Sequence, residues 1–273
     1  MMSIIDRITS GEFKNIIIVT GAGISTNAGI PDYRSATGLF SELMQIFPQA
    51  ETPSNLFSRS FVEKYNVYDH PIYKEKIRLI EQAKPTPTHI FCKHLYDKGW
   101  LKRVYTQNID GLHQKAGLPD DLVVEYHGSL IKNNVVLYGD KISDSVITQT
   151  IIDFITNSNP VDLILVMGTS LQVAPFCAIP NLVNKSCTRI LVDINPKNAF
   201  KNDWSIRKGD PDQMYSTPNS TSTVKFGSRL VSLRSQWSKP SKWKNQYIIE
   251  SNCDDWVKLI IFPDQKQNKI VCI

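Results

Sequence analysis

Apolar runs recur along the chain, and each ends on a small or polar cluster. Residues 16–19 are Ile-Ile-Ile-Val and end at Thr20-Gly21, and residues 101–105 end at Thr106-Gln107-Asn108. Residues 122–126 lead into His127-Gly128, residues 163–167 into Gly168-Thr169-Ser170, and residues 190–194 into Asn195. Runs dominated by Val, Ile and Leu, rather than strict alternation, fit strands buried on both faces of a parallel sheet. Between them, residues 88–98 place Ile90, Phe91, His94 and Leu95 on one stripe, with Gly99 as a stop, which predicts a helix. The alternation predicts a doubly wound, Rossmann-like α/β fold with ligands at the carboxyl ends of its strands.

Two stretches break this rhythm within what reads as one domain, residues 1–273. Residues 38–84 carry aromatics, prolines and short amphipathic pieces, and predict a small helical insertion. Residues 198–246 read as a basic, partly loop-like insertion, with Pro, Asn, Ser and Thr crowded into 211–223. Lys201, Arg207, Lys208, Lys225, Arg229, Arg234, Lys239, Lys242 and Lys244 outnumber Asp203, Asp210 and Asp212 there, around Trp237 and Trp243. That composition suits a solvated basic loop better than a nucleic-acid surface. Residues 247–273 read as a strand and helix completing the domain.

Composition narrows the class. Of 273 residues, 41% are hydrophobic and 21% charged, as in ordinary globular proteins, and the net charge of +5 is mild. The cysteines Cys92, Cys177, Cys187, Cys253 and Cys272 are odd in number and include no Cys-x-x-Cys pair. This argues against a disulfide framework and against a zinc ribbon, and favours a reducing compartment. The first residues lack the apolar core of a secretory signal, and no apolar run approaches the roughly 20 residues of a membrane span. A cytoplasmic or nuclear protein without a membrane partner is expected.

The first run enters Gly21-Ala22-Gly23. Glycines there permit positive φ and close backbone approach to a pyrophosphate, whose charge a helix N-terminus would meet. Gly-x-Gly alone also fits a tight structural turn. The third glycine of a dinucleotide fingerprint is replaced by Thr26, the next being Gly29, which departs from the dehydrogenase form.

Longer strings carry more. Residues 21–35 (GAGISTNAGIPDYRS) closely resemble the NAD-binding signature of the sirtuins. Residues 106–113 (TQNIDGLH), 126–129 (YHGS) and 167–176 (MGTSLQVAPF) are similar to that family's further motifs, in the same order, and the likeness spans about residues 13–196. The resemblance implies an NAD-dependent protein-lysine deacylase acting as a transferase. Such an enzyme consumes NAD as co-substrate and releases nicotinamide, O-acyl-ADP-ribose and free lysine. His127 would then be the general base that activates a ribose hydroxyl, a task suited to imidazole, which titrates near working pH. Asp110 would hold the nicotinamide carboxamide together with backbone near Ile30. Asn108 would order the ribose and a water, and Gln107 would bind ribose. Gly21, Ala22, Gly23 and Arg34 would meet the phosphates. Gly168, Thr169, Ser170 and Asn195 would hold the adenosine side, with Cys253 at the adenine. An alternative register puts the adenine edge near Gly209-Asp210. Asp32 and Tyr33 fall on the family's cofactor loop, where Tyr33 replaces the common Phe.

The acyl-lysine partner would lie along Val136, Leu137, Tyr138, Gly139 and Asp140, similar to the family's Val-x-Phe-Gly-Glu strand. The loop containing Val173 would clasp it from the other side by strand addition. Residues 38–43 (GLFSEL) resemble the class with deacetylase and long-chain deacylase activities, and the Tyr/Arg pair that selects acidic acyl groups is not found. The chain departs from the family at one place: His127-Gly128 runs within a few residues into Val135, with no four-cysteine zinc module between. No zinc is therefore expected. The loss borders the substrate side, so two other readings stay open: an NAD glycohydrolase or ADP-ribosyltransferase, and a non-catalytic NAD-binding scaffold.

Overall fold

In a computed structural model, the described residues are 2–31, 39–156, 159–200, 223–226, 229–232 and 245–262. The chain opens with helix α1 (Ile4–Thr9), which leads into strand β1 (Ile16–Thr20). Parallel strands follow as β2 (Leu101–Thr106), β3 (Val123–Glu125), β4 (Leu163–Met167) and β5 (Thr188–Asp193). An antiparallel ribbon of β6 (Thr223–Phe226) and β7 (Arg229–Ser232) precedes β8 (Gln246–Glu250). The main sheet has the order β3-β2-β1-β4-β5-β8, with every pairing parallel. The chain winds outward one way from β1 to β3 and then the other way from β4 to β8. The switch point between β1 and β4 is where such sheets open a ligand crevice.

The purely apolar runs are explained by two covered faces. Ile16 and Ile18 of β1, with Leu163, Leu165 and Met167 of β4, pack with Phe91, Leu95, Trp256 and Val257. Those partners come from helices α6 (Pro87–Asp97) and α10 (Cys253–Ile261). Ile17, Val19, Ile164 and Val166 point to the opposite face and meet Tyr105, Tyr126, Phe176 and Ile179. Alternate residues face opposite sides of a strand, so burial of both faces requires an unbroken apolar run. Helix α6 begins at Pro87 behind its cap Thr86 and stops before Gly99, which adopts φ +69°.

Residues 39–82 form a separate helical layer of α2 (Leu39–Ile46), α3 (Pro53–Leu56), α4 (Arg59–Tyr65) and α5 (Pro71–Gln82). Short helices need their ends satisfied, and Thr52 and Ser58 accept from the amides of Asn55 at 3.1 Å and Phe61 at 3.3 Å. Leu43, Phe47, Leu56, Phe61 and Val67 fill the interior of this layer, and Leu137 joins them. Further helices are α7 (Leu112–Lys115), α8 (Asp144–Ile151) and α9 (Lys197–Phe200). The β6–β7 ribbon lies inside the stretch whose composition suggested a loop; Val224 pairs with Val231 across it. The proline- and serine-rich part of that stretch, and its tryptophans Trp204, Trp237 and Trp243, lie outside the described residues.

Candidate active site

The strand register delivers the site residues together. Thr20 lies level with Thr106 and Met167, Thr106 with Glu125, and Met167 with Val192. The residues that follow these positions therefore emerge along one edge of the sheet.

Gly21, Ala22 and Gly23 leave β1 in two successive 3-10 turns, Ala22–Ile24 and Thr26–Ala28, rather than an α-helix. The expected reason for the glycines needs correction. Gly21 has φ −138°, ordinary extended backbone, and the left-handed residue is Gly29 at φ +83°. Close packing demands the first two. A Cβ on Gly21 would lie 2.6 Å from the Thr169 Cβ, and one on Gly23 would lie 2.8 Å from the Gly168 Cα. The two loops are laced by Gly21 N–H to Met167 O at 3.2 Å and Gly23 N–H to Gly168 O at 2.9 Å. Gly168 in turn donates to Val192 O at 3.1 Å, so three strand ends are tied at the switch point.

Beneath this lacing lies a buried polar group. Asn108 and Asp110 are each 5% exposed, and Ser25 is 1% exposed. The Asn108 amide donates to Gly21 O and Ser25 Oγ, both at 3.1 Å, and its oxygen accepts nothing from the described residues. Ser25 donates to Asp110 Oδ2 at 2.8 Å, while Asp110 Oδ1 accepts the Leu112 amide at 2.9 Å. Burial pushes the Asp110 carboxyl above its ordinary value, against the opposing pull of those two hydrogen bonds. Ser25 was not singled out by sequence reasoning, although it stands inside the glycine-rich string. Ile30 is buried against Leu112 and Ala83, close in sequence to Asp32, Tyr33 and Arg34. Those three residues lie outside the described residues.

His127 is half-buried and follows Tyr126, whose amide donates to Thr106 O at 2.9 Å and extends the β2–β3 pairing. Gly128 turns the chain at φ +70°, and the Val136 amide returns to His127 O at 2.9 Å. On the β4 side, the Thr169 hydroxyl donates to Gln107 Oε1 at 3.0 Å and accepts the Leu171 amide at 3.1 Å. Ser170 and Val173 are half-buried on that loop. Asn195 is exposed beyond β5, its amide held by Asp193 Oδ1 at 2.7 Å. Cys253 starts α10 with its thiol buried and donating to Val192 O at 3.4 Å. Burial raises that thiol well above its usual value, so it presents a neutral wall.

The expected Val136–Asp140 strand is replaced by a single bridge and a turn. The Tyr138 amide donates to Phe57 O at 3.0 Å, and the Asp140 amide donates to Leu137 O at 3.0 Å around Gly139 at φ +95°. Leu137 is drawn into the helical core, and Asp140 forms a 2.5 Å ion pair with Arg59, so this segment bonds to the helical layer. A cavity of about 1230 Å³ opens between α5, β3 and residues 128–136, with Asp110, Tyr126 and Gly128 in its wall. Cys92, Cys177, Cys187 and Cys253 are separate buried thiols. Among the described residues no group of three or more His, Cys, Asp or Glu is arranged to hold a metal ion. The described residues therefore do not fit a zinc site. No helix among them is long and apolar enough to cross a membrane.

A parallel sheet in 3-2-1-4-5 order, with a glycine-laced switch point over a buried Ser-Asn-Asp group, defines a dinucleotide-binding α/β domain. Residues 21–132 match the model of the Sir2 family. The chain is 34% identical to a zebrafish (Danio rerio) NAD-dependent protein deacetylase sirtuin-2 over 231 residues, covering 70% of this chain and 59% of that protein. It is 36% identical to an NAD-dependent protein deacetylase of Clostridium perfringens, covering 64% of this chain and 85% of that one. A solved Sir2 structure with a deacetylated p53 peptide and 3′-O-acetyl ADP-ribose superposes with a TM-score of 0.56 at 26% identity, over 68% of this chain and 85% of that one. Another Sir2 enzyme shares the fold at a TM-score of 0.60 and 19% identity over 94% of this chain and 96% of that one. The chain belongs to the Sir2 family. It spans about three-fifths of the zebrafish relative's length.

Proposed function

We propose that this protein is an NAD-dependent protein-lysine deacylase that works without zinc on acyl-lysine proteins of the cytoplasm or nucleus. The observation that carries the reading is the buried Ser25–Asn108–Asp110 group at the carboxyl edge of the parallel sheet, the same edge from which His127 follows β3. The donor set suits NAD. Asp110 offers a carboxylate to a carboxamide N–H, and Asn108 holds an amide oxygen ready for a ribose hydroxyl or a water. Gln107, Thr169, Ser170 and Asn195 offer polar groups along the adenosine side, with Cys253 and Gly168 closing it. Bound NAD supplies a ribose carbon that becomes electrophilic as nicotinamide departs.

This chain's residues would then do the remaining work. Asp110 and the backbone near Ile30 orient the carboxamide, and the Gly21–Gly23 turn takes the phosphates; Arg34, with Asp32 and Tyr33, lies outside the described residues, and its phosphate-binding role rests on the likeness to the family alone. His127 accepts a proton from a ribose hydroxyl at its imidazole nitrogen, a contribution of about 10² to 10⁴ in rate for a well-placed base. Val136–Gly139 and Val173 flank the substrate peptide; the Val136–Gly139 segment is anchored to the helical layer, which gives the peptide one firm wall.

The decisive experiment incubates the purified protein with NAD, with and without an acetyl- or myristoyl-lysine peptide. Nicotinamide release that depends on peptide, with O-acyl-ADP-ribose formed, supports the reading. Equal release without peptide replaces it with NAD glycohydrolysis or ADP-ribosyl transfer, and NAD binding without release leaves a scaffold.

A further inference from the structure

We propose that residues 129–134 are a metal-independent clamp in which Asn134 is a positioning residue, fixing the His127–Gly128 turn against the Asn108–Gly111 segment. The inference rests on the reading of His127 as general base. It starts from a gap in the chain: between His127 and Val136 stand only Gly128, Ser129, Leu130, Ile131, Lys132, Asn133, Asn134 and Val135, none of them a soft metal ligand.

The segment is closed on itself by hydrogen bonds. The Ser129 amide donates to the Asn134 side-chain oxygen at 2.8 Å, and the Asn134 amide donates back to Ser129 O at 3.2 Å. Asn133 takes φ +51°, a conformation Asn tolerates, and donates to Leu130 O at 3.2 Å inside the ring. The ring is then tied at both ends to the candidate machinery. Leu130 donates to Ile109 O at 3.0 Å, between Asn108 and Asp110, and Val136 donates to His127 O at 2.9 Å. Gly128 has no room for a side chain, because a Cβ there would fall onto Asn134 O. Ile131 is 64% exposed, yet its side chain lies over Gly111, the residue after Asp110. Lys132 reaches Glu125 at 2.8 Å and Asp120 at 3.3 Å, pinning the tip beside the end of β3.

Elsewhere, a module between these two points would need its own core or a metal. Here a six-residue ring connects them directly, and its only side-chain closure is the Asn134 oxygen. Ser129 is buried, so removing that oxygen leaves its amide without a protein partner and frees the turn carrying His127. Misplacing a catalytic group by about 1 Å can cost about 10²-fold in rate.

The test compares Asn134→Ala and Asn134→Asp with the unaltered protein, and each is first checked for folding by thermal melting. Peptide-dependent nicotinamide release is measured, and the His127 imidazole is followed by NMR titration. Asn134→Ala should lower kcat about tenfold while KM for NAD stays within about twofold, and should displace the His127 titration. Asn134→Asp, which keeps an oxygen at the same reach, should recover kcat to within about threefold. An Asn134→Ala protein with unchanged kcat overturns the proposal, as does a loss shared equally by NAD binding and melting temperature. If the unaltered protein releases no nicotinamide, the NMR titration decides: an identical His127 curve in Asn134→Ala overturns the clamp, and a displaced one supports it. Full activity in His127→Ala would instead strike the general-base reading and leave the clamp to the NMR result. Stoichiometric zinc in the purified protein overturns the metal-independent half.

Discussion

At the scale of single residues, the site depends on a few buried contacts. His127→Ala should reduce peptide-dependent turnover by at least about 100-fold and leave NAD binding intact, as calorimetry would show. Ser25→Ala is the sharper probe of the inner group, since that hydroxyl is shared by Asn108 and Asp110. Its loss should weaken NAD binding by about tenfold, and an unchanged Kd would show that Asp110 needs no such support. Gly23→Ala tests the lacing of the two loops. A methyl there meets the Gly168 backbone, which cannot swing aside as a side-chain tip would, so both stability and NAD affinity should fall.

At the scale of elements, two buried contacts join helices to the site. Asp254, in the first turn of α10, accepts from the Thr88 amide at 2.9 Å, the Thr88 hydroxyl at 2.6 Å and Asn27 at 2.7 Å. One carboxylate thus caps α6 and holds the end of the glycine-rich turn. Asp254→Ala should cost about 2–3 kcal/mol in urea unfolding, because charged hydrogen bonds are lost and a helix N-terminus is left bare. Where α6 meets α7, the His89 and His113 rings meet edge to face with 4.8 Å between ring centres, and His113 Nε2 sits 3.1 Å from Thr20 Oγ1 at the end of β1. Burial lowers His89 to about 3 and pushes His113 well below its ordinary value. These two imidazoles therefore bind more protons in the unfolded chain than in the folded one below about pH 6.5, and their contribution to stability falls with pH. Stability should be full above that pH and fall steadily as the pH drops toward 3. Urea midpoints equal at pH 7 and pH 5 would contradict this.

At the scale of the molecule, a helical layer and a Rossmann-type sheet meet over the cavity that holds Asp110 in its wall. The short connection at 129–134 holds that junction without a metal cluster among the described residues. Addition of a strong chelator should leave the melting temperature and the NAD affinity unchanged; a fall of several degrees would reveal a metal with a structural role. The C-terminal elements close the far side, where Trp256 is fully buried against Phe91. Trp256→Ala should lower stability by about 3–5 kcal/mol, measured by urea unfolding, through the cavity it leaves.

The sequence by itself determined the class of fold, the order of the main-sheet strands along the chain and the residues at their carboxyl ends. Apolar runs of the right length report strands covered on both faces, and the glycine-rich and polar strings after them are local in sequence. It also determined that no cysteine-bearing module separates His127 from Val136. The tertiary structure decided why Gly21 and Gly23 are glycines, since the atoms they must avoid belong to Gly168 and Thr169, about 145 residues away. It also decided that Ser25 joins Asn108 and Asp110, that Val136–Asp140 turns instead of forming a strand, and that Asn134 closes on Ser129. Each of these depends on which groups meet across the fold. Periodicity and composition report how one segment is covered, and carry no information on which distant segment supplies the cover.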